Sequence, residues 1–449
     1  MTASIDSRIS NELRDLARIF EDAGFALFCV GGCVRDWLLE RDAPDTDLCS
    51  KALPEQVLAL LGQSARLQSE KTATVSIEWC GCRFEHTSFR TESYGKGGEH
   101  TPQKVEIGAT LEEDAFRRDF TVNALYYDIT ERKLIDPTGG MEDLRRGMLR
   151  TTSKDPSDIL KNDGLRLLRL VRFAHGLNFE IEENTRRAAR EYAHLLEDIA
   201  FERKRDELTK ILLLDDVTAA LYTMDELGLF PYIIPELTRC KGFGQRKAHH
   251  IYDVMGHLFH AVENIDKQAE LRYMALLHDI GKPECLEKTG NQRLHHEYSA
   301  RTARVILERL RLPKSSVERI VSAIQNHMFD LFCEEGEDVV RQKFCLLGVD
   351  RVWDLIALRE ADVRGSGIKT DFIETRWRRV ISDMVERKTP FSIGELALSG
   401  GEIMATLALS PCAAVGELQK KLLMHCATHP EDNEKQTLKK LLTSGEIAP

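Results

Sequence analysis

Two aspartates separated by one residue, Asp45 and Asp47, follow a glycine pair, Gly31 and Gly32, near the start of the chain. Side chains at positions i and i+2 of a strand lie on one face, so the two carboxylates are predicted to lie together. They repel each other unless a cation lies between them, and Mg²⁺ prefers carboxylate and phosphate oxygens. The glycines let the backbone approach a ligand, and a helix after them directs N–H groups at a phosphate. Each motif alone is more often structural, but together they predict a magnesium and phosphate site.

The same stretch resembles the class II nucleotidyltransferases, which comprise the tRNA CCA-adding enzymes and the bacterial poly(A) polymerases. The residues that carry this resemblance are Gly31, Gly32, Val34, Arg35, Asp36, Asp45 and Asp47. The resemblance implies that Asp45 and Asp47 are catalytic and bind Mg²⁺. It also implies that Gly31, Gly32 and Arg35 position the triphosphate of the incoming nucleotide.

Periodic patterns predict the elements that must hold these residues. Apolar residues at helical spacing within 13–20 predict a packing helix before the first strand. Two β-rich runs, 73–79 and 82–89, are separated by a Cys-Gly pair and predict a hairpin. Glu85 on the second run is either a third catalytic carboxylate, as the family pattern implies, or a solvent-facing residue on an edge hairpin. Residues 94–104 are Gly-rich and charged and predict a mobile loop.

A second string, Arg117-Arg118-Asp119-Phe120-Thr121-Val122-Asn123-Ala124, resembles the Arg-Arg-Asp-Phe-Thr-x-Asn-Ala motif of the same family. An arginine pair binds triphosphate oxygens in a bidentate manner, and Arg118 is assigned to the nucleotide. Asp119 and Asn123, four apart on a predicted helix, are expected to face one ribose or to orient the arginines. The competing interpretation is a solvated helix face.

A single helix is predicted from Pro156 to Ala174, and it presents Asp163 and Arg166 on one face. The string resembles the family's Glu-Asp-x-Leu-Arg-x-x-Arg motif, with Asn162 in place of the Glu and Arg169 at its end. The resemblance implies that Asp163 and Arg166 hydrogen-bond the incoming base and accept only C or A. Uracil and guanine present the opposite donor–acceptor pattern, at a cost of roughly 1–3 kcal/mol for each unpaired group. The bland alternative is a surface salt bridge.

Histidines and carboxylates in the second half of the chain form another constellation. Leu276-Leu277-His278-Asp279-Ile280-Gly281-Lys282 resembles the HD phosphohydrolase superfamily. Imidazoles and carboxylates suit a divalent transition metal or Mg²⁺, and a bound ion could activate water for phosphoester hydrolysis. The expected ligands are His257, His278, Asp279 and Asp362, with His296 and His327 for a second ion or a phosphate. His249, His250 and His295 fit no ligand position and are expected at the surface. The alternative is an HD scaffold that has lost its metal.

Composition limits the remaining possibilities. The chain has 449 residues, which predicts three or more domains, and its 42% hydrophobic and 30% charged content is that of a soluble globular protein. A net charge of −11 argues against a broad nucleic-acid coat but allows one RNA partner on a local basic strip. The 11 cysteines lack Cys-x-x-Cys pairs, and the charged start and short apolar runs lack a signal peptide or a membrane span. A cytoplasmic protein is expected.

These patterns predict an α+β protein with four domains. They are a nucleotidyltransferase head with a small mixed β-sheet at 1–148, a helical neck and body at 149–245, an HD domain at 246–370, and a helical, tRNA-binding tail at 371–449. The predicted function is template-independent, Mg²⁺-dependent addition of C, C and A to tRNA from CTP and ATP. The alternatives are a poly(A) polymerase, an enzyme that adds only CC or only A, and a metal-dependent phosphohydrolase. The tail is not strongly basic, which favours the tRNA interpretation over poly(A) synthesis.

Overall fold

The computed structural model describes residues 5–94, 103–244, 251–330, 334–367 and 374–447. The chain divides into two units, Met1–Pro235 and Glu236–Pro449. Every strand among the described residues lies in the first unit, and the second unit is helical. The predicted α+β class is therefore confirmed. Among these residues no helix combines the length and the apolar character that crossing a bilayer requires.

A mixed sheet of seven strands forms the centre of the first unit. The strands of this unit are β1 (Phe28–Val30), β2 (Asp47–Ser50), β3 (Ala65–Ser69), β4 (Thr74–Trp79), β5 (Cys82–Ser88), β6 (Arg90–Ser93), β7 (Lys104–Ile107), β8 (Tyr126–Asp128), β9 (Lys133–Ile135), β10 (Met148–Leu149) and β11 (Glu180–Ile181). The large sheet has the order β3-β4-β5-β2-β1-β8-β9, and β6–β7 and β10–β11 form separate pairs. β2 and β5 are parallel, whereas the other neighbouring strands of the large sheet are antiparallel.

Helices of the first unit pack on this sheet and continue beyond it. They are α1 (Asn11–Asp22), α2 (Gly32–Leu38), α3 (Pro54–Leu61), α4 (Leu111–Phe116), α5 (Gly140–Arg146), α6 (Pro156–Leu160), α7 (Leu165–Leu177), α8 (Glu183–Glu191), α9 (Phe201–Leu212) and α10 (Val217–Glu226). The predicted packing helix is α1: Ser10 caps its first turn, and its apolar stripe is buried in the core of the sheet. The predicted hairpin is the pair β4–β5.

Two predicted helices are shorter than expected. Helix α4 ends at Phe116, so Asp119 and Asn123 do not share an α-helix. The chain leaves the helix because Phe120 bridges to Thr151 and the Thr121 N–H donates to the carbonyl of Arg150.

The predicted helix from Pro156 to Ala174 is divided into α6 and α7. The Asp163 carboxylate accepts the Leu165 N–H at 2.9 Å and so starts a new helix. Gly164 lies so close to Leu195 that a Cβ there would be 2.5 Å from its carbonyl oxygen. The packing of this turn therefore fixes the break.

Where the structure describes the second unit, it contains helices and no strand. They are α11 (Val254–Glu263), α12 (Ala269–Leu277), α13 (Lys282–Thr289), α14 (His295–Arg309), α15 (Lys314–Asn326), α16 (Glu337–Leu347), α17 (Val349–Gly365), α18 (Glu374–Glu386), α19 (Gly400–Leu407), α20 (Ala413–Thr428) and α21 (Lys435–Thr443). Apolar residues of α16, α17, α18 and α20 meet in one core. Helices α11, α12, α14, α15 and α17 carry the histidines and aspartates predicted to bind metal, either along their length or at their ends.

Candidate active site and candidate metal centre

The predicted catalytic carboxylates come from two parallel strands. Asp47 begins β2 and stands in register with Glu85 of β5, so both side chains lie on one face of the sheet. Their neighbours Leu48 and His86 are buried on the other face. β5 lies between β4 and β2, so Glu85 is not on an edge hairpin, but its side chain is exposed as that alternative expected. The role of Glu85 as a third catalytic carboxylate stays a prediction. Asp45 precedes the strand rather than belonging to it.

Charge repulsion shows that these carboxylates suit a cation. Partial burial and the negative charge of Glu85 raise the pKa of Asp47 above its ordinary value, and Asp45 acts in the same direction. The positive charge of Arg118 opposes them without reversing the shift. A divalent ion relieves this repulsion, so the residues present fit the metal that the family pattern implies. Divalent metal use is therefore expected for this head.

A cavity of about 470 Å³ lies beside Asp47. Its lining contains all nine predicted nucleotide-binding residues together with others that were not assigned to the nucleotide. The lining residues are Gly31, Gly32, Arg35, Asp47, Thr72, Arg90, Glu92, Tyr94, Arg117, Arg118, Asp119, Asn123, Asp163, Leu165, Arg166, Arg169 and Phe173. Asp45 and Glu85 are not part of this lining. The volume is that of a small-molecule site, and its wall is rich in guanidinium groups.

Gly31 shapes the entrance of helix α2. Its φ of +79° belongs to the left-handed region that favours glycine. A Cβ at Gly31 would lie 3.4 Å from Nη1 of Arg118 and 3.7 Å from the carbonyl oxygen of Asn123. Both distances are ordinary van der Waals contacts, so the backbone conformation and not a lack of space favours glycine at this turn.

A buried aspartate holds both arginines of the second motif. Asp114, 1% exposed, accepts from Arg117 at 2.6 and 2.9 Å and from Arg118 at 3.0 and 3.2 Å. The hydroxyl of Tyr126 donates to the same carboxylate at 2.7 Å. Burial alone would raise the pKa of Asp114, but the two guanidinium charges outweigh it and lower the pKa to about 2. The arginine pair is thus preorganised in the absence of nucleotide.

Asp119 and Asn123 also hold arginines. Asp119 accepts from Arg169 at 2.8 and 2.5 Å and from the Asn123 amide at 3.1 Å. The amide oxygen of Asn123 accepts from Arg35 at 2.5 Å. Burial acts to raise the pKa of Asp119, yet the charges of Arg169 and Arg166 lower it to about 2. Asp119 and Asn123 were expected either to face one ribose or to orient the arginines, and these contacts correspond to the second arrangement.

The predicted base-reading pair lies in the same cavity. Asp163 and Arg166 are 7% and 6% exposed. Arg166 donates through Nη1 to the carbonyl of Ile159 at 3.0 Å and through Nη2 to the carbonyl of Arg117 at 2.8 Å. These contacts exclude the alternative of a surface salt bridge. Whether the pair reads C and A stays a prediction.

The second unit brings together the four predicted HD ligands. Nε2 of His257 lies 3.1 Å from Nε2 of His278, 3.5 Å from Oδ2 of Asp279 and 3.1 Å from Oδ1 of Asp362. Their ligand atoms all lie within 4.8 Å of one another, and the two histidines are fully buried. Lys282 bonds the same Oδ2 of Asp279.

A second group shares Asp279 and differs from the prediction. Oδ1 of Asp279 lies 3.0 Å from Nε2 of His295 and 3.7 Å from Nε2 of His327, and the two imidazole nitrogens are 3.1 Å apart. His295, expected at the surface, is 5% exposed, so that expectation was wrong. His296 is not part of this group, because the next position on α14 turns its ring away from Asp279. His249 and His250 lie outside the described residues.

Main-chain carbonyls orient the imidazoles of both groups. Nδ1 of His278 lies 2.8 Å from the carbonyl oxygen of Ala275. Nδ1 of His295 lies 2.7 Å from that of Gln292, and Nδ1 of His327 lies 2.6 Å from that of Ile324. A proton on each Nδ1 leaves the Nε2 lone pair directed at the carboxylates, which is the arrangement of a metal ligand. The donor set therefore fits a divalent ion, with Asp279 offering one oxygen to each group.

Several residues of the cavity escaped the sequence analysis. Asp114 precedes Arg117 and Arg118 by one helical turn, and that spacing was a usable signal. Glu92 had no such signal, because its partner Arg117 is 25 positions away. Phe173 contacts three guanidinium groups, those of Arg172 at 4.1 Å, Arg35 at 5.1 Å and Arg169 at 5.2 Å from its ring centroid.

A carboxylate pair beside a glycine turn, facing a cavity lined with arginines, defines a nucleotidyltransferase. Family models agree in three places: the poly A polymerase head domain matches residues 27–150, the probable RNA and SrmB-binding site of polymerase A matches 178–241, and the HD domain matches 248–347. Asp362, the fourth HD ligand, lies beyond the last of these ranges.

A relative extends the match over most of the chain. An A-adding tRNA nucleotidyltransferase of Deinococcus radiodurans is 33% identical over 417 residues, which are 88% of this chain and 89% of that protein. The protein therefore belongs to the tRNA nucleotidyltransferase and poly(A) polymerase family. A CCA-adding enzyme of Limosilactobacillus reuteri is 38% identical over 219 residues, and this match spans 53% of the relative. The crystal structure of the Bacillus stearothermophilus CCA-adding enzyme in complex with CTP has the same fold, with a TM-score of 0.73, 24% identity and 97% coverage of both chains.

Proposed function

We propose that the protein adds C, C and A to the 3′ end of tRNA from CTP and ATP without a template. One observation carries the proposal: the Asp47–Glu85 pair lies beside a cavity that also holds Arg118 and the Asp163–Arg166 pair. Metal-binding carboxylates, a phosphate-binding arginine and a donor–acceptor pair for a base are the parts that nucleotidyl transfer requires. The tRNA is recognised by its shape. A cytoplasmic location goes with this substrate.

In the proposed reaction the terminal 3′-hydroxyl of tRNA attacks the α-phosphorus of the bound nucleotide. A new O–P bond forms, and the bond to pyrophosphate breaks. Asp45 and Asp47, with Glu85 beside them, hold Mg²⁺, which when bound lowers the pKa of the hydroxyl and offsets developing charge. Arg118, held by Asp114, binds the triphosphate.

Base choice is assigned to Asp163 and Arg166. A carboxylate acceptor beside a guanidinium donor matches the amino group and ring nitrogen of cytosine or adenine. The main-chain carbonyls that hold Arg166 limit its movement, so a base of the wrong pattern leaves buried groups unpaired. Arg166→Ala is therefore expected to lower the preference for CTP over UTP.

The decisive experiment uses three tRNA transcripts, which end before the first C, after one C and after both. Purified protein with Mg²⁺ is expected to incorporate labelled CTP into the first two and ATP into the third. Asp45→Ala and Asp47→Ala should abolish incorporation. Asp42→Ala is the matched control, because Asp42 lies in the same segment and only pairs with Arg8 at the surface. Incorporation from neither nucleotide would refute the proposal.

Addition of A alone is the second candidate. It is favoured by the match to an A-adding tRNA nucleotidyltransferase over 88% of the chain. In this case only the transcript that already ends in both C residues is extended. Extension of generic RNA 3′ ends with ATP would instead identify a poly(A) polymerase.

We infer a phosphohydrolase activity for the second unit, with either a divalent transition metal or Mg²⁺ as its ion. The observation that favours it is the set of buried imidazoles whose Nε2 atoms converge on Asp279 and Asp362. Hydrolysis of a cyclic or terminal phosphate ester should survive Asp47→Ala and disappear in Asp279→Ala. Asp266→Ala, at an exposed position between α11 and α12, is the control. Hydrolysis that persists in Asp279→Ala would refute this activity.

A further inference from the structure

A buried glutamate lies between two arginines on the wall of the nucleotide cavity. Glu92 belongs to β6, and its side chain is 6% exposed. One carboxylate oxygen, Oε1, accepts from Nε of Arg90 at 2.8 Å and from Nη1 of Arg117 at 3.1 Å. The other, Oε2, accepts from the hydroxyl of Tyr94 at 2.6 Å. The carboxylate is thus bonded by groups from its own strand, from the residue after that strand and from the segment after α4.

The charge of Glu92 compensates two buried cations that would otherwise repel each other. Burial opposes ionisation of Glu92, yet the charges of Arg117 and Arg90 lower its pKa below the ordinary value. The pKa of Arg90 is lowered by burial and by the neighbouring charge of Arg117, while Glu92 acts to raise it. Glu92 and Asp114 both offset these guanidinium charges, so loss of the Glu92 charge leaves the partly buried arginine pair with less compensation.

The position of Arg117 determines the position of Arg166. The carbonyl of Arg117 accepts from Nη2 of Arg166 at 2.8 Å, one of two main-chain contacts that hold the Arg166 guanidinium. Displacement of Arg117 from β6 therefore moves one of these two anchors. Tyr94 lies near the same pair, since Asp163 and Arg166 both act on its hydroxyl electrostatically.

We propose that Glu92 is a positioning residue for base selection, which fixes Arg166 through Arg117 and holds Tyr94 beside the base-reading pair. The inference rests on the proposed function, because it assumes that the cavity binds the base of CTP or ATP. Glu92 lines the cavity, and its bonds are made to Arg90, Tyr94 and Arg117 and not to the predicted metal-binding carboxylates. Its loss is therefore expected to change which nucleotide is accepted more than how fast the accepted one reacts.

The test compares Glu92→Gln with Glu106→Gln in single-nucleotide incorporation. Glu106 lies on β7 of the same two-stranded sheet, is exposed and bonds only Lys104 among the contacts recorded for it. The ratio of kcat/KM for CTP to that for UTP should fall at least tenfold in Glu92→Gln and stay unchanged in Glu106→Gln. For CTP, KM should rise while kcat stays within about threefold. Tyr94→Phe should lower the ratio in the same direction by a smaller factor.

Each result of this test either supports or overturns the inference about Glu92. An unchanged CTP/UTP ratio in Glu92→Gln overturns the inference, and so does an equal loss of activity with every nucleotide, which would mark a purely structural role. Should Glu92→Gln fail to fold, the ratio in Glu92→Asp, which keeps the charge but shortens the side chain, decides in the same way. Absence of incorporation by the unaltered protein is a different failure, because it refutes the proposed function itself.

Discussion

Replacing Asp114 by Asn should destabilise the first unit and weaken triphosphate binding together. The pKa of Asp114 is about 2, against an ordinary 3.8. A difference of about 1.8 pH units corresponds to about 2.4 kcal/mol of stability at neutral pH. Because the folded-state pKa is lowered, this contribution is complete above pH 5 and is lost as the pH falls through 3.8 towards 2. Asn keeps the size of the side chain, removes its charge and leaves two arginines without their shared partner.

The expected loss at pH 7 is therefore about 2–4 kcal/mol, since breaking a buried pair also leaves unpaired charge. Hydrogen exchange in increasing urea, resolved by peptide, measures the free energy of unfolding for the first unit separately from the second. Alongside it, the KM for CTP should rise at least tenfold, because Arg118 is no longer preorganised. The stability difference between the variant and the unaltered protein should shrink below pH 4.

Asp15→Asn is the matched control. Asp15 makes an i, i+3 pair with Arg18, as Asp114 does with Arg117, but both members of the Asp15–Arg18 pair are exposed. No change in stability or in KM is expected there. If Asp114→Asn left both quantities within error of the unaltered protein, the arginine pair would not depend on this carboxylate and the reasoning would be wrong.

Three further predictions concern other parts of the molecule. Titration with a divalent metal should give one equivalent per chain fewer in His295→Ala than in the unaltered protein, whereas His296→Ala should bind as many equivalents as the unaltered protein. An undiminished count in His295→Ala would contradict the shared centre. Burial lowers the pKa of His86 from 6.5 to about 3, so the unfolded chain binds a proton at a higher pH than the folded chain does. The free energy of unfolding should therefore fall by about 1.4 kcal/mol per pH unit as the pH drops from 6.5 towards 3. Urea unfolding of His86→Gln should lack this pH dependence, and an equal pH dependence would exclude His86 as its source. Gly164→Ala should destabilise the protein by about 1–3 kcal/mol, because a carbonyl oxygen lies 2.5 Å from the position of the added Cβ. Gly416→Ala, inside α20 with open space around it, should stabilise the protein by about 0.5–1 kcal/mol. Thermal unfolding checks both variants, and equal shifts of their melting temperatures would contradict the packing argument.

Local sequence patterns predicted the parts of the fold that depend on near neighbours. The stripe of α1 and the β4–β5 hairpin are set by residues a few positions apart, and periodicity identifies them. The same holds for short strings such as 117–124, whose members meet in the cavity although their helix was wrongly predicted.

Distant contacts explain what the sequence could not predict. The break between α6 and α7 depends on the approach of Gly164 to Leu195, which no local pattern reveals. The choice of His295 over His296 depends on the rotation of α14 about its axis, and two adjacent histidines look alike in sequence. Arg117 meets Glu92 only after β6 and the end of α4 are packed together.

The register between β2 and β5 ties assembly of the sheet to catalysis. Asp47 and Glu85 share a face only because they are Cα partners, with Leu48 and His86 on the opposite side. A shift of one residue along either strand would send one carboxylate into the apolar interior and separate it from the other. Under the proposed function a mispaired chain is therefore expected to be inactive, and the specific activity of a refolded preparation would measure the fraction of molecules whose strands have aligned correctly.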